Sequence, residues 1–317
     1  MRTLVCRGYG AGENLTLENR PVPEPGPGEV RVRVLACGAN ASDWEFVTGR
    51  PAYARIARWF WRRRDVFGSD VVGVVDKLGP GVTGFRPGQR VVADTFETFG
   101  GFADFCVARA RLWVPVPEGV SEILAAALPQ SGTIALTTFQ GRVRPGMRVL
   151  VNGGGGGSGP LAIQIARAGG AEVWAVDTGA KAEVMCEAGA DRVLDFEQQD
   201  FAAQRDAFDL ILDLWGTRPM RRVRRTLKPG GRYMLVGGPL PVVIAAALAT
   251  LWSAPTRRRA GILAVHQGPD ALAELLAMVA DGRLRPVVGE VTALVGAREA
   301  LTLMGARQVA GKLVIVP

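Results

Sequence analysis

The sequence predicts a two-domain α/β protein, a β-rich first third followed by a doubly wound parallel sheet, and three observations predict it. At 317 residues the chain exceeds the ~250–300 at which a single core stops growing. Its first third alternates apolar and polar residues between turns rich in glycine and proline; beyond about Val120 the rhythm becomes strand, helix, strand. Hydrophobic residues make up 48% of the chain and charged residues 21%, the balance of a folded globular protein.

Residues 30–35, Val-Arg-Val-Arg-Val-Leu, alternate as a strand with one buried face does, and 71–75 and 90–93 add short β-branched runs. Glycine and proline cluster at 21–28, 79–84 and Pro87-Gly88, where tight turns need a preset or positive φ. Short strands between such turns predict a barrel-like domain. The later rhythm is strand 149–151, helix 161–168, strand 172–177, helix 180–187 and strand 192–196. Strand 209–214, helix 220–227 and strand 232–236 continue it. Repeated βα units of this kind build a parallel sheet covered on both faces. Residues 311–316 form one more strand, whose sheet the pattern alone does not assign.

Cys6, Cys37, Cys106 and Cys186 are scattered, without the spacing of a disulfide framework or a C-x-x-C metal clip, which fits a reducing cytoplasm. The first residues reach Gly8 and Gly10 before an apolar stretch of signal-peptide length develops. The longest apolar run, 240–252, contains Pro241 and falls short of the ~20 residues of a membrane span. It is expected as a buried helix or pocket wall, with no stable membrane insertion. The formal net charge of +8 is spread along the chain with no nucleic-acid motif beside it. No nucleic-acid partner is expected, and the charge is read as solvated surface that favours anionic ligands.

Strand 149–151 runs into Asn152-Gly153-Gly154-Gly155-Gly156-Gly157-Ser158-Gly159, and the helical pattern Leu161, Ile163, Ile165 follows at once. A glycine-rich turn between strand and helix lets backbone N–H groups approach a pyrophosphate, and the helix N-terminus adds partial positive charge. Gly153, Gly156 and Gly159 are the frame of such a dinucleotide turn, the mark of a Rossmann sheet. Asp177 ends the next strand, near the ~20-residue spacing at which an acid takes the ribose hydroxyls of NAD. Thr178 and Lys181 follow it, and a hydroxyl with an ammonium can hold a 2′-phosphate that the carboxylate would repel. On these residues alone both nicotinamide cofactors stay open.

Further segments accompany the turn in a fixed order: Gly38-Ala39-Asn40-Ala41-Ser42-Asp43-Trp44, Gly68-Ser69-Asp70-Val71-Val72-Gly73, Gly81-Val82-Thr83-Gly84-Phe85-Arg86-Pro87-Gly88, Gly189-Ala190-Asp191, Lys228-Pro229-Gly230-Gly231-Arg232 and Gly311-Lys312. With them the chain resembles the medium-chain dehydrogenase/reductase superfamily over nearly its whole length, and within it the zinc-free, quinone oxidoreductase-like branch. The resemblance implies a GroES-like β-barrel substrate domain over 1–119, completed by 266–317, a Rossmann dinucleotide-binding domain over 120–265, a cofactor in the cleft and a homodimer. By position it implies that Thr133, Gly156, Gly157 and Ser158 meet the cofactor phosphates and that Thr178 and Lys181 meet the adenosine end. Gly237 and Gly238 would lie at the nicotinamide side, and Lys312, near the active-site cleft, would be a further cofactor-binding residue.

Zinc-dependent relatives place cysteine, histidine and cysteine where this chain has Asn40, Ser69 and Gln130 or Ser131, none a good zinc ligand. The single histidine, His266, is remote from these motifs, so no metal is expected and His266 is read as a structural or surface residue. Asp177 stands where many NADPH-using relatives have a neutral residue, and Gln89 replaces the usual aspartate after Pro87-Gly88. Because the zinc-free branch mostly uses NADPH, the resemblance leans to NADP(H), with NAD(H) the alternative.

Without a Lewis acid, hydride transfer suits a quinone or an activated alkene better than a simple ketone, since an enolate spreads the developing charge. Asn40 is the candidate donor to the substrate carbonyl and Tyr53 the candidate proton donor, with packing the competing role for Tyr53. Asp43 and Asp70 are expected in structural salt bridges or turn hydrogen bonds. Residues 53–64 mix aromatics with five arginines, either as an amphipathic lid or as aromatics packed over the cleft with arginines in solvent. Together with the run 240–252 they point to a hydrophobic substrate. Two other functions compete with quinone or enoyl reduction: a reductase or dehydrogenase dedicated to one natural product, and a weakly catalytic nicotinamide-binding regulatory protein.

Overall fold

The computed structural model describes residues 1–60, 64–252, 258–265 and 268–317. The chain divides into two units, one formed by Met1–Thr133 with Gln267–Pro317 and one by Ile134–His266. In chain order the first unit opens with β1 (Arg2–Cys6), β2 (Leu15–Asn19), β3 (Glu29–Gly38), α1 (Ala41–Thr48), α2 (Ala52–Phe60), β4 (Asp70–Leu78) and β5 (Arg90–Asp94). It continues through β6 (Phe105–Arg109), β7 (Val114–Pro115), α3 (Glu122–Ala126) and α4 (Pro129–Phe139), which runs across the division. The second unit holds β8 (Arg148–Asn152), α5 (Gly159–Ala168), β9 (Glu172–Asp177), α6 (Ala182–Glu187), β10 (Arg192–Asp195) and β11 (Phe208–Asp213). It ends with α7 (Met220–Thr226), β12 (Leu227–Leu235), α8 (Leu240–Trp252) and β13 (Arg259–Ile262). The first unit resumes with α9 (Pro269–Ala280), β14 (Val288–Ala293), α10 (Ala297–Gly305) and β15 (Lys312–Val316).

The alternation of β3 buries Val30, Val32, Val34 and Ala36 and turns Arg31 and Arg33 outward, as period-two strands do. One side of β3 pairs antiparallel with β4, and the other side takes β6 along its first half and β15 at Cys37 and Gly38. The seven-stranded sheet runs β14-β15-β3-β4-β5-β7 with β6 beside β3, so the strand at 311–316 belongs here. Gly38 is required where these elements meet: a Cβ there would lie 2.1 Å from the Ala126 carbonyl oxygen of α3 and 2.7 Å from Cε of Lys312. Under the sheet, Phe46, Phe67 and Phe99 pack with centroids 5.4 to 5.6 Å apart, two of the pairs edge to face. Such pairs add ~0.5–1.5 kcal/mol each beyond their buried area.

In the second unit all six strands are parallel, in the order β10-β9-β8-β11-β12-β13. From β8 the chain first builds outward through β9 and β10, then returns to build β11, β12 and β13 on the other side. That is the Rossmann order, with its switch point between the carboxyl ends of β8 and β11. Val149, Leu150 and Val151 are fully buried, as a strand covered on both faces must be.

Four expectations change. The helix expected over 180–187 starts as a 3-10 turn, Gly179–Lys181, before α6. Strand β12 begins at Leu227, not 232, because a register shift between Phe208 and Leu210 lets Leu227 pair with Phe208 across Lys228-Pro229-Gly230-Gly231. The run 240–252 forms α8 but is not buried throughout: Ala246 and Ala249 face the core, while Ile244 and Leu248 are 50% and 52% exposed. In α2 the roles of arginine and tryptophan are exchanged. Arg58 donates to the carbonyls of Cys6, Gly8 and Phe46 and stacks on Tyr9, whereas Trp59 is exposed. Trp61, Arg62 and Arg63 of that segment, and His266, lie outside the described residues.

Candidate functional site

Each unit gathers buried polar side chains. In the first, Asn40 ends the segment after β3 and caps α1. Asp43 ties that helix start to the chain before β4: its Oδ2 accepts from Asn40 N at 2.8 Å and its Oδ1 from Gly68 N at 2.9 Å. Burial pushes the Asp43 carboxyl up to about 7 against the pull of those two backbone donors. Lys312, the first residue of β15, is 2% exposed and donates to Asn40 Oδ1 at 2.6 Å, Asp70 Oδ2 at 2.9 Å and Ser131 Oγ at 3.1 Å. Asp70 Oδ1 accepts from Gln130 N at 3.3 Å and from Ser69 Oγ at 3.4 Å. Asp43 and Asp70 thus make the turn hydrogen bonds and salt bridge expected of them.

Asp70 is paired across the sheet with Asp94, whose carboxyl burial raises first and the Asp70 charge second. Among the described residues, Asp94 Oδ2 is buried without a hydrogen-bond partner. Tyr53 lies on α2, where its hydroxyl donates to Glu45 Oε1 of α1 at 2.8 Å. Burial raises Glu45 to about 7 although the Tyr53 hydrogen bond opposes it. Thr133, in α4, donates its hydroxyl to the Pro129 carbonyl at 2.5 Å and is 3% exposed.

These groups do not suit zinc. Asn40 and Ser131, two of the positions resembling zinc ligands, accept from the Lys312 ammonium, which repels a divalent cation, and Ser69 at the third contacts Asn40 Nδ2. Among the described residues no three His, Cys, Asp or Glu side chains are grouped to hold a metal ion.

In the second unit the candidate residues line the carboxyl edge of the parallel sheet. Gly153 and Gly154 donate their N–H groups to the Val176 carbonyl, which holds the turn after β8 against β9. Gly159 opens α5, where a Cβ would lie 2.2 Å from the Gly154 carbonyl oxygen, so glycine alone lets helix and turn pack this closely. Gly156 differs: a Cβ there would meet only the Gly153 carbonyl oxygen, at 3.6 Å, leaving the open cradle a pyrophosphate needs. Ser158 precedes α5 and makes no side-chain cap bond, and Gly157 lies beside it in the turn.

Asp177 Oδ2 accepts from Gly155 N at 3.0 Å and Oδ1 from Thr178 N at 2.9 Å, while Lys181 Nζ stands 3.4 Å from Oδ1. At the switch point Asp213 Oδ1 accepts from Asn152 Nδ2 at 2.7 Å and Oδ2 from the Tyr233 hydroxyl at 2.8 Å. Burial raises Asp213 to about 6, and burial with the Asp213 charge raises Tyr233. Gly237 and Gly238 follow β12, and the Gly237 carbonyl accepts from Gly216 N at 2.9 Å.

The structure therefore brings Asn40 and Lys312 together, and separately gathers Asp177, Thr178 and Lys181 at the end of β9. Sequence reasoning gave no role to Glu45, Asn152, Asp213 or Tyr233, and considered Ser131 only as an absent zinc ligand. Asn152 and Asp213 were findable as polar residues ending apolar strands; the Tyr233 pairing had no such signal.

Residues 26–118 match the alcohol dehydrogenase GroES-like domain and residues 188–315 a zinc-binding dehydrogenase domain. The chloroplastic quinone-oxidoreductase QR1 of Triphysaria versicolor is 29% identical over 100% of this chain and 98% of its own length. A 2-methylene-furan-3-one reductase of Solanum lycopersicum is 29% identical over 73% of this chain and 60% of its own. Among solved structures, a quinone oxidoreductase from Coxiella burnetii superposes with a TM-score of 0.89 at 26% identity, covering 100% of this chain and 99% of that one. A mycobacterial protein complexed with NADPH superposes at 0.85 and 27% identity, covering 100% of both chains.

Proposed function

The chain belongs to the medium-chain dehydrogenase/reductase superfamily, in its quinone oxidoreductase-like branch, and is an NAD(P)H-dependent oxidoreductase; from that premise we propose that it reduces a hydrophobic quinone or α,β-unsaturated carbonyl compound without zinc. One observation carries the reading: the Lys312 ammonium stands among Asn40, Asp70 and Ser131 where a zinc-dependent relative needs ligands. The nicotinamide, when bound, supplies a hydride. Gly156, Gly157 and Ser158 at the start of α5 would hold the pyrophosphate, and Thr178 and Lys181 the adenosine end. Thr133 and Gly237-Gly238 are assigned to the phosphate and nicotinamide sides by position. NADPH is read as the cofactor because Lys181 offsets the Asp177 charge at 3.4 Å. The Asp177 carboxylate at the end of β9 supports NADH as the second reading.

Asn40 is assigned to the substrate carbonyl. Its Nδ2 has only a long contact, 3.5 Å to Ser69 Oγ, and so keeps donor capacity for an oxygen that gains charge as hydride arrives at the β-carbon. Tyr53 is assigned as proton donor to the enolate carbon, its hydroxyl turning from Glu45 Oε1 to the substrate. Exposed Ile56 and Trp59 on α2 support an apolar substrate. A homodimer is also inferred. Among the described residues no helix is long and apolar enough to cross a membrane.

The test is anaerobic cofactor consumption by metal-stripped protein, with NADPH and NADH offered in parallel against quinones, enones and saturated ketones. Turnover is expected with quinones or enones and not with ketones. Asn40→Ala is expected to lower kcat by at least about tenfold. Ketone turnover that zinc restores would overturn the reading.

A further inference from the structure

Lys312 has three N–H donors and three acceptors, all side chains of its own unit, at 2.6, 2.9 and 3.1 Å. A buried ammonium saturated in this way has no proton left for a substrate or a cofactor phosphate, so its part in the reaction must pass through what it holds. Its shortest bond goes to the Asn40 carbonyl oxygen, and charge-assisted bonds of this kind are roughly twice as strong as neutral ones. Rotating the amide by half a turn would set its NH2 group against the ammonium, donor facing donor. The amide is therefore fixed with Oδ1 inward, and Nδ2 is left with the single contact to Ser69 Oγ at 3.5 Å. Asp70 holds the ammonium in place and is itself braced by Gln130 N, so the orientation is set from β4, β15 and α4 together.

We propose that Lys312 is a positioning residue: it locks the Asn40 amide with Nδ2 turned toward the substrate, and its charge, acting through the Asn40 carbonyl, strengthens that donor toward the developing enolate oxygen. Polarisation along a hydrogen-bond chain in a low-dielectric interior supplies the strengthening. The positive charge that zinc relatives draw from a metal is thus supplied here by the protein, one bond removed from the substrate. This inference rests on the assignment of Asn40 to the substrate carbonyl.

The test is a double-mutant cycle in the full chain, with NADPH and an enone that the wild type reduces. Asn40→Ala forms one arm. The pair Lys312→Met with Asp70→Asn forms the other, removing both charges so that neither is left buried and alone. kcat, KM, NADPH affinity and Tm are read for each arm and for the triple variant. Each arm is expected to lower kcat by at least about tenfold. In the Asn40→Ala background the charge pair should add no more than about twofold, since the lock then has nothing to hold. NADPH affinity is expected unchanged in all of them.

Losses that multiply would overturn the lock and leave the Asn40 assignment standing. An Asn40→Ala variant with wild-type kcat would overturn that assignment and the lock with it. If the charge pair does not fold, Lys312→Gln takes its place in the same cycle under the same criterion.

Discussion

Glu45 is a carboxyl half-sunk between α1 and α2, with the Tyr53 hydroxyl at 2.8 Å. Burial lifts it from an ordinary 4.5 to about 7. A raised acid favours the fold while both states are protonated, below about 4.5, and that advantage is lost as pH rises to about 7, because the unfolded chain ionises first. At about 1.36 kcal/mol per unit the loss is on the order of 3 kcal/mol at most. Glu45→Gln keeps the polar group and removes the ionisation. Thermal melts are expected to show the variant several degrees above wild type at pH 8 and level with it at pH 4.5. An equal shift at both pH values would mean that the Glu45 carboxyl ionises at the same pH in the folded and the unfolded chain. None of this was legible from sequence, where Trp44-Glu45-Phe46 gives no sign that the acid faces α2. Asn40 and Lys312 were legible through family motifs, but their contact was not, because nothing local joins residues 272 positions apart.

At the scale of elements the alternation was readable wherever a strand is buried on both faces, as at Val149-Leu150-Val151. It misled where composition and backbone disagree: Lys228-Pro229-Gly230-Gly231 has the residues of a turn yet lies within β12. In α8 hydropathy was read as burial, although a helix apolar all round still turns Ile244 and Leu248 outward. The glycine turn allows a sharper test because two of its glycines serve different ends. At Gly159 a Cβ would press on the Gly154 carbonyl oxygen at 2.2 Å, so Gly159→Ala must displace α5 or the turn. At Gly156 a Cβ meets only one atom, at 3.6 Å, so Gly156→Ala leaves the fold intact and intrudes on the space assigned to the pyrophosphate. Gly156→Ala is expected to keep the wild-type Tm within about 2 °C while NADPH affinity falls at least about tenfold. Gly159→Ala is expected to lower both. Titration of NADPH against each variant decides it, and undiminished affinity in Gly156→Ala would place the cofactor elsewhere.

At the scale of the whole molecule, the first unit closes only when β15 inserts between β14 and β3, joining the last residues of the chain to the first third. The second unit ends its sheet on β13, which pairs with β12 on one side and, among the described residues, with no strand on the other. Ile262 on β13 is 45% exposed, and Ile244 and Leu248, four positions apart on the adjoining α8, form one exposed apolar stripe. An open strand edge beside an apolar stripe is a surface that pairs with another chain, and a two-fold axis lets it pair with its own copy. The net charge of +8 opposes that association. At ~0.15 M salt, charges more than ~8 Å apart are largely screened, so the net charge does not prevent the proposed homodimer from forming at this edge. Sedimentation at that ionic strength is expected to give twice the chain mass, and Ile262→Lys, which sets two ammonium groups against each other at the edge, is expected to give the mass of one chain. Because Ile262 is exposed in the single chain, the substitution should change its stability by no more than about 0.5 kcal/mol. A variant that keeps the doubled mass would move the interface to another surface, and a wild type of single mass would remove the homodimer from the proposed function.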